Sequence, residues 1–253
     1  MTVPSTDGTP AKGLSNGTAT VTTNTTTLTN STPNAIIVAV IYWELNGALP
    51  TLTGVSGGGL TWTKRSGVNT GGISAMEVWW ALAASPLSGV TVTATFSGNQ
   101  DNAAIIVVPF KNVNTSTPWD SNVSIPATQT SGGTSGSFTP SLTVSTTNND
   151  CLLLYSGGTN QNWSFPDTVT PGFTSLATVF NPNGSLYANL EVTSAGAASP
   201  ISSVTETWGS AIPVRPVPNF GVGPYTGAQA TFDALVGAGA GPAASTSNFF
   251  FVA

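Results

Sequence analysis

The pattern of residues predicts an all-β fold, a jelly-roll-like β-sandwich with two pseudo-repeated halves and an N-terminal arm. Three observations lead there. Short runs alternate apolar residues with Thr, as in Val90-Thr91-Val92-Thr93-Ala94-Thr95-Phe96. That period of two suits a sheet with one wet face. Gly, Pro and Asn fall between such runs, where they read as turns. No segment of useful length carries the period of an amphipathic helix, apart from Thr231 to Gly237, where a strand is the favoured reading.

Residues 1–18 are polar and bear Gly and Pro, so they read as an arm that is ordered only where something docks it. The Thr-rich segment from Thr20 to Thr29 is β-prone, because a branched Cβ fits a pleated, half-buried surface. Ile36 to Trp43 is continuously apolar, as in a strand covered on both faces. Leu60 to Arg65 follows a turn at Gly57-Gly58-Gly59, and Ala75 to Ala83 carries Met76-Glu77-Val78-Trp79-Trp80. Val90 to Phe96 and Ala103 to Phe110 read as two strands, with Asn99-Gln100-Asp101-Asn102 as a turn between them.

A Ser/Thr/Gly/Pro stretch from 112 to 140 separates the halves, with short strands near Ser124 and Phe138. A second set of runs follows: Cys151 to Tyr155, Phe173 to Phe180, Leu186 to Thr193, Ile201 to Trp208, and Ala228 to Val236. It resembles the first set. Gly59-Leu60-Thr61 matches Gly172-Phe173-Thr174, and Ala75-Met76-Glu77-Val78 matches Asn189-Leu190-Glu191-Val192. Val90-Thr91-Val92-Thr93 matches Val204-Thr205-Glu206-Thr207. The halves span 19–112 and 141–253 of a sandwich running from 19 to 253, and a Pro-rich insertion, Ile212 to Tyr225, lengthens the second. Such a repeat suits either two stacked modules or the paired Greek keys of one jelly roll.

Composition removes most chemistry. The chain has no His, one Cys and 6% charged residues. Without His, a Ser nucleophile has no usual base. Zinc has no Cys or His cluster to bind. The ten acids are scattered, so the paired carboxylates of a glycosidase would have to form across strands, for example Glu77 with Glu191 or Glu206. Asn99 to Asn102 and Asn148-Asn149-Asp150 could offer oxygens to calcium, but both read better as turns. The expectation is therefore no catalytic, cofactor-binding or metal-binding residues. With net charge −5 and five Lys and Arg, the chain cannot build the basic footprint that nucleic acid or anionic membrane requires. Cys151 sits in the apolar run Cys151-Leu152-Leu153-Leu154-Tyr155 and reads as a small buried hydrophobe.

The remaining candidates for contact are aromatic. Trp79 and Trp80 are strand neighbours and point to opposite faces, one into the core and one outward. Trp119 and Trp163 fall in loops, where they either close the ends of the sandwich or stack on sugars or on a partner. Phe249-Phe250-Phe251 reads as a last core strand or an interface strand.

Four segments in order resemble a family of β-sandwich modules of phage virion proteins and bacterial surface proteins. They are Asn34 to Val40, Gly59-Leu60-Thr61-Trp62-Thr63, Glu77-Val78-Trp79-Trp80-Ala81, and Val90 to Thr93 with Ala104 to Phe110. The turn Asn112 to Asp120 and the segments Asp150 to Leu154 and Gly172 to Thr174 extend it. The resemblance spans residues 30 to 193 and implies no catalytic residues. It implies particle decoration, fibre formation or surface binding. No signal segment is visible at Met1 to Gly8, yet the Thr/Ser/Asn-rich surface is of the extracellular kind, which favours a virion. The expectation is thus not an enzyme but a structural virion protein. It would be a capsid decoration (cement) protein on the head exterior, binding major capsid protein and itself as a homotrimer. The alternative is a tail-fibre or spike module that binds host surface polysaccharide.

Overall fold

The computed structural model describes residues 2–25, 27–45, 48–69, 74–132, 136–138, 141–159, 173–180, 187–194, 204–207, 212–214 and 227–238. It is all-β: two antiparallel sheets packed face to face as a sandwich.

The first sheet uses β1 (Ser5–Thr6), β2 (Ala11–Asn24), β3 (Ala35–Glu44), β4 (Leu52–Ser56), β5 (Thr63–Asn69), β6 (Ser74–Ala83) and β7 (Thr93–Lys111). Its path is β1-β7-β3-β6-β5, with β2 and β4 also on β7. The later strands are β8 (Ala127–Gly132), β9 (Gly136–Phe138), β10 (Ser141–Val144), β11 (Cys151–Thr159), β12 (Thr174–Phe180), β13 (Tyr187–Ser194), β14 (Val204–Thr207), β15 (Ile212–Val214) and β16 (Gly227–Val236). The second sheet runs β12-β13-β11-β16-β8, while β10 pairs β14 and β9 pairs β15 in two short ribbons.

Both sheets follow one plan. In the first, β5-β6-β3-β7-β2 lie side by side; in the second, β12-β13-β11-β16-β8 do. Register makes the match residue by residue. Phe110 stands between Thr6 and Ile36, as Leu235 stands between Trp119 and Leu152. Val107 stands between Ala11 and Ala39, as Phe232 stands between Ala127 and Tyr155. A bulge falls at Arg65 on β5 and at the matching Leu176 on β12. Leu28 bridges Val90, and Val144 pairs Val204. This register places Val78 with Leu190, so the match of Glu77 to Glu191 read from sequence is two residues out of step.

Three apolar clusters fill the layers. The central one joins the sheets through Ile36, Val38, Val78 and Phe110 on one side and Leu152, Leu154, Leu190 and Leu235 on the other. These are matching positions, so the two halves pack through equivalent faces. Ile37, Ile41, Ile105 and Val107 form a second cluster on the far face of the first sheet, closed by Leu28, Leu87 and Phe96. Leu153, Tyr155, Phe232 and Val236 form the third, closed by Ile125, Leu142 and Val144. Every residue of β3 and of β11 is buried as a result. Their unbroken apolar runs record burial on both faces rather than a helix.

Two glycines are set by geometry. Gly57 opens the turn before β5 at φ 136°, and a Cβ there would lie 2.4 Å from the Thr91 carbonyl oxygen. Gly158 faces Tyr42 across the sandwich, and a Cβ would stand 2.3 Å from its ring. Tyr42 and Gly158 are matching positions that meet each other. Where equivalent positions touch, space allows one large side chain, not two.

Three segments differ from expectation. The segment 1–18 expected as an arm is docked on the chain itself. β1 and β2 pair β7, and the boundary at 18/19 falls inside β2. The turn expected at Asn99 to Asn102 is mid-strand in the 19-residue β7. There Gln100 donates to Ser15 Oγ at 2.7 Å and Asn102 donates to Glu44 at 2.6 Å, so polar side chains are accommodated without breaking the ladder. The stretch 112–140 is not a spacer alone, because its Asp120 and β8 occupy the places of Asp7 and β2.

Candidate functional site

Three places concentrate the polar and aromatic side chains. The first is a buried carboxylate that occurs twice. Asp7 donates its backbone N–H to the Pro109 carbonyl at 2.8 Å, and Asp120 does the same to Ala234 at 3.0 Å. Each side chain then ties down the turn that leads into the central strand. Asp7 accepts from Ser31 N at 3.1 Å, Ser31 Oγ at 2.7 Å, Thr32 N at 2.8 Å, Thr32 Oγ1 and Asn30 Nδ2. Asp120 accepts from Thr147 N at 2.9 Å, Asn148 N at 2.8 Å, Asn148 Nδ2 at 2.8 Å and Asn122 N at 2.9 Å. The turns end at Asn34 and Asp150, both in the left-handed region at φ 59° and 53°. Burial opposes the charge of Asp7, but its hydrogen bonds outweigh that and hold its pKa well below the carboxylate range. Asp120 is lowered by the same balance. These carboxylates are saturated by donors and serve the fold.

Cys151 lies beside Asp120, with its thiol 3.6 Å from Oδ2. Burial, then the Asp120 charge, pushes its pKa up to about 12. A thiol so poised has almost no thiolate at neutral pH and is unreactive.

The second place is an ion pair between the halves. Arg65, on the β5 bulge, donates to Asp233 of β16 through Nε at 2.7 Å and Nη2 at 3.1 Å. Its guanidinium also lies over Trp119, 5.0 Å from the ring centroid. Burial raises the Asp233 pKa, and Arg65 counters that only in part. Trp119, read from sequence either as a loop platform or as packing that closes the end of the sandwich, has one face covered by Arg65 and bridges Leu235 in the second sheet.

The third place surrounds the paired tryptophans. Trp79 and Trp80 point to opposite faces as predicted, but neither is simply in or out. Both faces of the sheet are covered, so both rings are half-buried. Trp79 packs on the second cluster and donates from Nε1 to Glu77 at 2.8 Å, while Lys64 bonds Glu77 at 2.5 Å from the other side. Trp80 lies at the margin of the central cluster and lines an open groove of about 620 Å³. Leu60, Thr61, Thr63, Leu82 and Ser85 line it as well. Leu82 is 38% exposed, and Val123 is the only other exposed large hydrophobic among the described residues.

The carboxylate pairs weighed from sequence do not assemble. Glu77 belongs to the first sheet on the face of Ile41. Glu191 stands opposite Tyr155 in the second sheet, at a register position of the face turned away. Glu206 lies on β14, in a separate ribbon. Among the described residues no three His, Cys, Asp or Glu side chains gather to hold a metal. Trp163 and Phe249 to Phe251 lie outside the described residues. Sequence reasoning missed Asp7, Asp120, Arg65 and Asp233. A repeated Asp some thirty residues before each apolar strand, 28 before Ala35 and 31 before Cys151, was the available signal for the first two.

The fold and these sites define a two-repeat all-β sandwich with engaged buried carboxylates and an open aromatic groove among the described residues. No family model, curated protein or solved structure matches the chain.

Proposed function

We propose that the protein is a structural virion component, a decoration protein on the exterior of a phage head, bound to major capsid subunits and to its own copies as a trimer. The observation that carries this reading is the engagement of the chain's scarce charges in holding the scaffold together. Asp7, Asp120 and Asp233 each bond groups distant in sequence, and Arg65 joins one half to the other. What remains outward on the described strands is largely Thr and Ser. In addition, β5 pairs only β6 and β12 pairs only β13 among the described strands, so each offers an edge for lateral association. The bulges at Arg65 and Leu176 limit such pairing to one part of each edge. The sequence resemblance to virion and surface modules supports the same class.

A second reading, attachment to surface polysaccharide, is favoured by the groove at Trp80. Imaging of purified particles tests both. Many symmetric copies between capsid subunits support decoration. A few copies at the tail support attachment, and absence from particles overturns both virion placements.

A further inference from the structure

We infer that the groove along Trp80 binds a neutral glycan, with a sugar ring on the indole and its hydroxyls on the polar rim; this rests on the attachment reading. The molecule contains its own control. In the second half, built on the same strand order, the positions of Trp80 and Leu82 are held by Val192 and Ser194. The central positions stay apolar in both halves, as Val38 with Leu154 and Val78 with Leu190 show. The plan therefore does not require Trp and Leu at the margin. Folding leaves Leu82 exposed and Trp80 half-buried at the rim of the sandwich. Exposing large apolar groups in a concave place is the usual mark of a binding site.

The lining selects the ligand. Its volume, about 620 Å³, lies in the range of small-molecule sites. Apolar surface from Trp80, Leu82 and Leu60 alternates with the hydroxyls of Thr61, Thr63 and Ser85. A pyranose has that same division, with an apolar C–H face and a rim of hydroxyls. Among the described residues no ionisable side chain lines the groove, so none of them compensates a carboxylate, phosphate or ammonium brought into it. Uncharged hexose polymers fit, and acidic polysaccharides and charged peptides do not. Trp119 is the weaker platform because Arg65 already covers one of its faces.

The test is calorimetric titration of the full chain with neutral oligosaccharides (gluco-, manno- and galacto-hexaoses), with hyaluronate as the acidic control. Binding of at least one neutral series is expected, with none of hyaluronate. Trp80→Ala should weaken it at least tenfold. Leu82→Asp, at a position 38% exposed, should do the same. Binding that survives both substitutions removes the site from this groove while leaving the attachment reading. No binding of any of these sugars by the native chain overturns the neutral-glycan site, while the attachment reading stands or falls on the particle imaging. Preference for hyaluronate, or for an apolar peptide in place of the sugars, overturns the neutral-glycan assignment.

Discussion

The two halves of this protein solve one folding problem with different residues, and the differences separate what the plan needs from what each half adds. Both place an Asp at the turn before the buried central strand, Asp7 in one and Asp120 in the other. Both put a residue with positive φ at the end of that turn. Those features belong to the plan. At the shared face the halves diverge. Tyr42 meets Gly158, Arg65 matches Leu176, and Val108 matches Asp233. One flank of the interface is an ion pair. At the matching flank Leu176 packs on the central cluster. Equivalent surfaces that face each other must differentiate wherever two copies of one side chain would collide or leave a charge unpaired.

The largest effect should come from breaking the ion pair. Asp233→Ala leaves the Arg65 guanidinium between the halves without its partner, and unfolding by urea should show a loss of about 3–5 kcal/mol. Replacing both at once, Arg65→Leu with Asp233→Val, copies the apolar flank and should recover most of that loss. If the double variant is no better than the single one, the two flanks are not interchangeable.

Gly158→Ala comes next. The new methyl would collide with the Tyr42 ring, so overpacking should cost about 2–3 kcal/mol in the same measurement. Addition of Tyr42→Leu should relieve part of it. An unchanged midpoint for the single variant would show that the halves do not meet as described.

The paired carboxylates predict acid sensitivity. The folded pKa values of Asp7 and Asp120 lie below their unfolded value, so each stabilises the fold above roughly pH 4 and loses that contribution as pH falls. Asp233 has a raised pKa and acts in the opposite sense, favouring the fold at low pH and losing that as pH rises through its folded value. One opposing group does not offset two, so melting temperature should still fall between pH 5 and about pH 2. Asp7→Asn with Asp120→Asn should flatten the fall while lowering stability at pH 7 by about 1–2 kcal/mol per site. Equal steepness with and without these carboxylates would remove them as its cause.

The smallest effect is at Cys151. Its buried thiol should resist a thiol reagent in the native protein and react fully in denaturant. Rapid labelling of the native chain would show that the third cluster opens readily.

The fold class and most strands were legible in the sequence for a local reason. Alternation with period two and unbroken apolar runs depend only on which faces of a strand are covered, and Ile36 to Trp43 and Ala228 to Val236 display that directly. Repetition between halves was legible too, because matching strands keep matching patterns. The places where reading failed depend on distant partners. Asn99 to Asn102 looks like a turn until Ser15 and Glu44 supply hydrogen bonds to it in mid-strand. Residues 1–18 look like a free arm until β7 offers an edge to pair. Trp119 reads as either a platform or a packed ring until Arg65, 54 positions earlier in the chain, stacks on it.

By itself, then, the sequence determined that this chain makes sheets, where the central strands run, and that few groups are present for acid–base or metal chemistry. Composition and alternation are properties of the chain alone. Only the tertiary structure decided which Asp residues clamp turns, which residue yields space to Tyr42, and which Trp lines an open groove. Each of those depends on the face that a neighbouring strand presents, and that is set when the two halves pack.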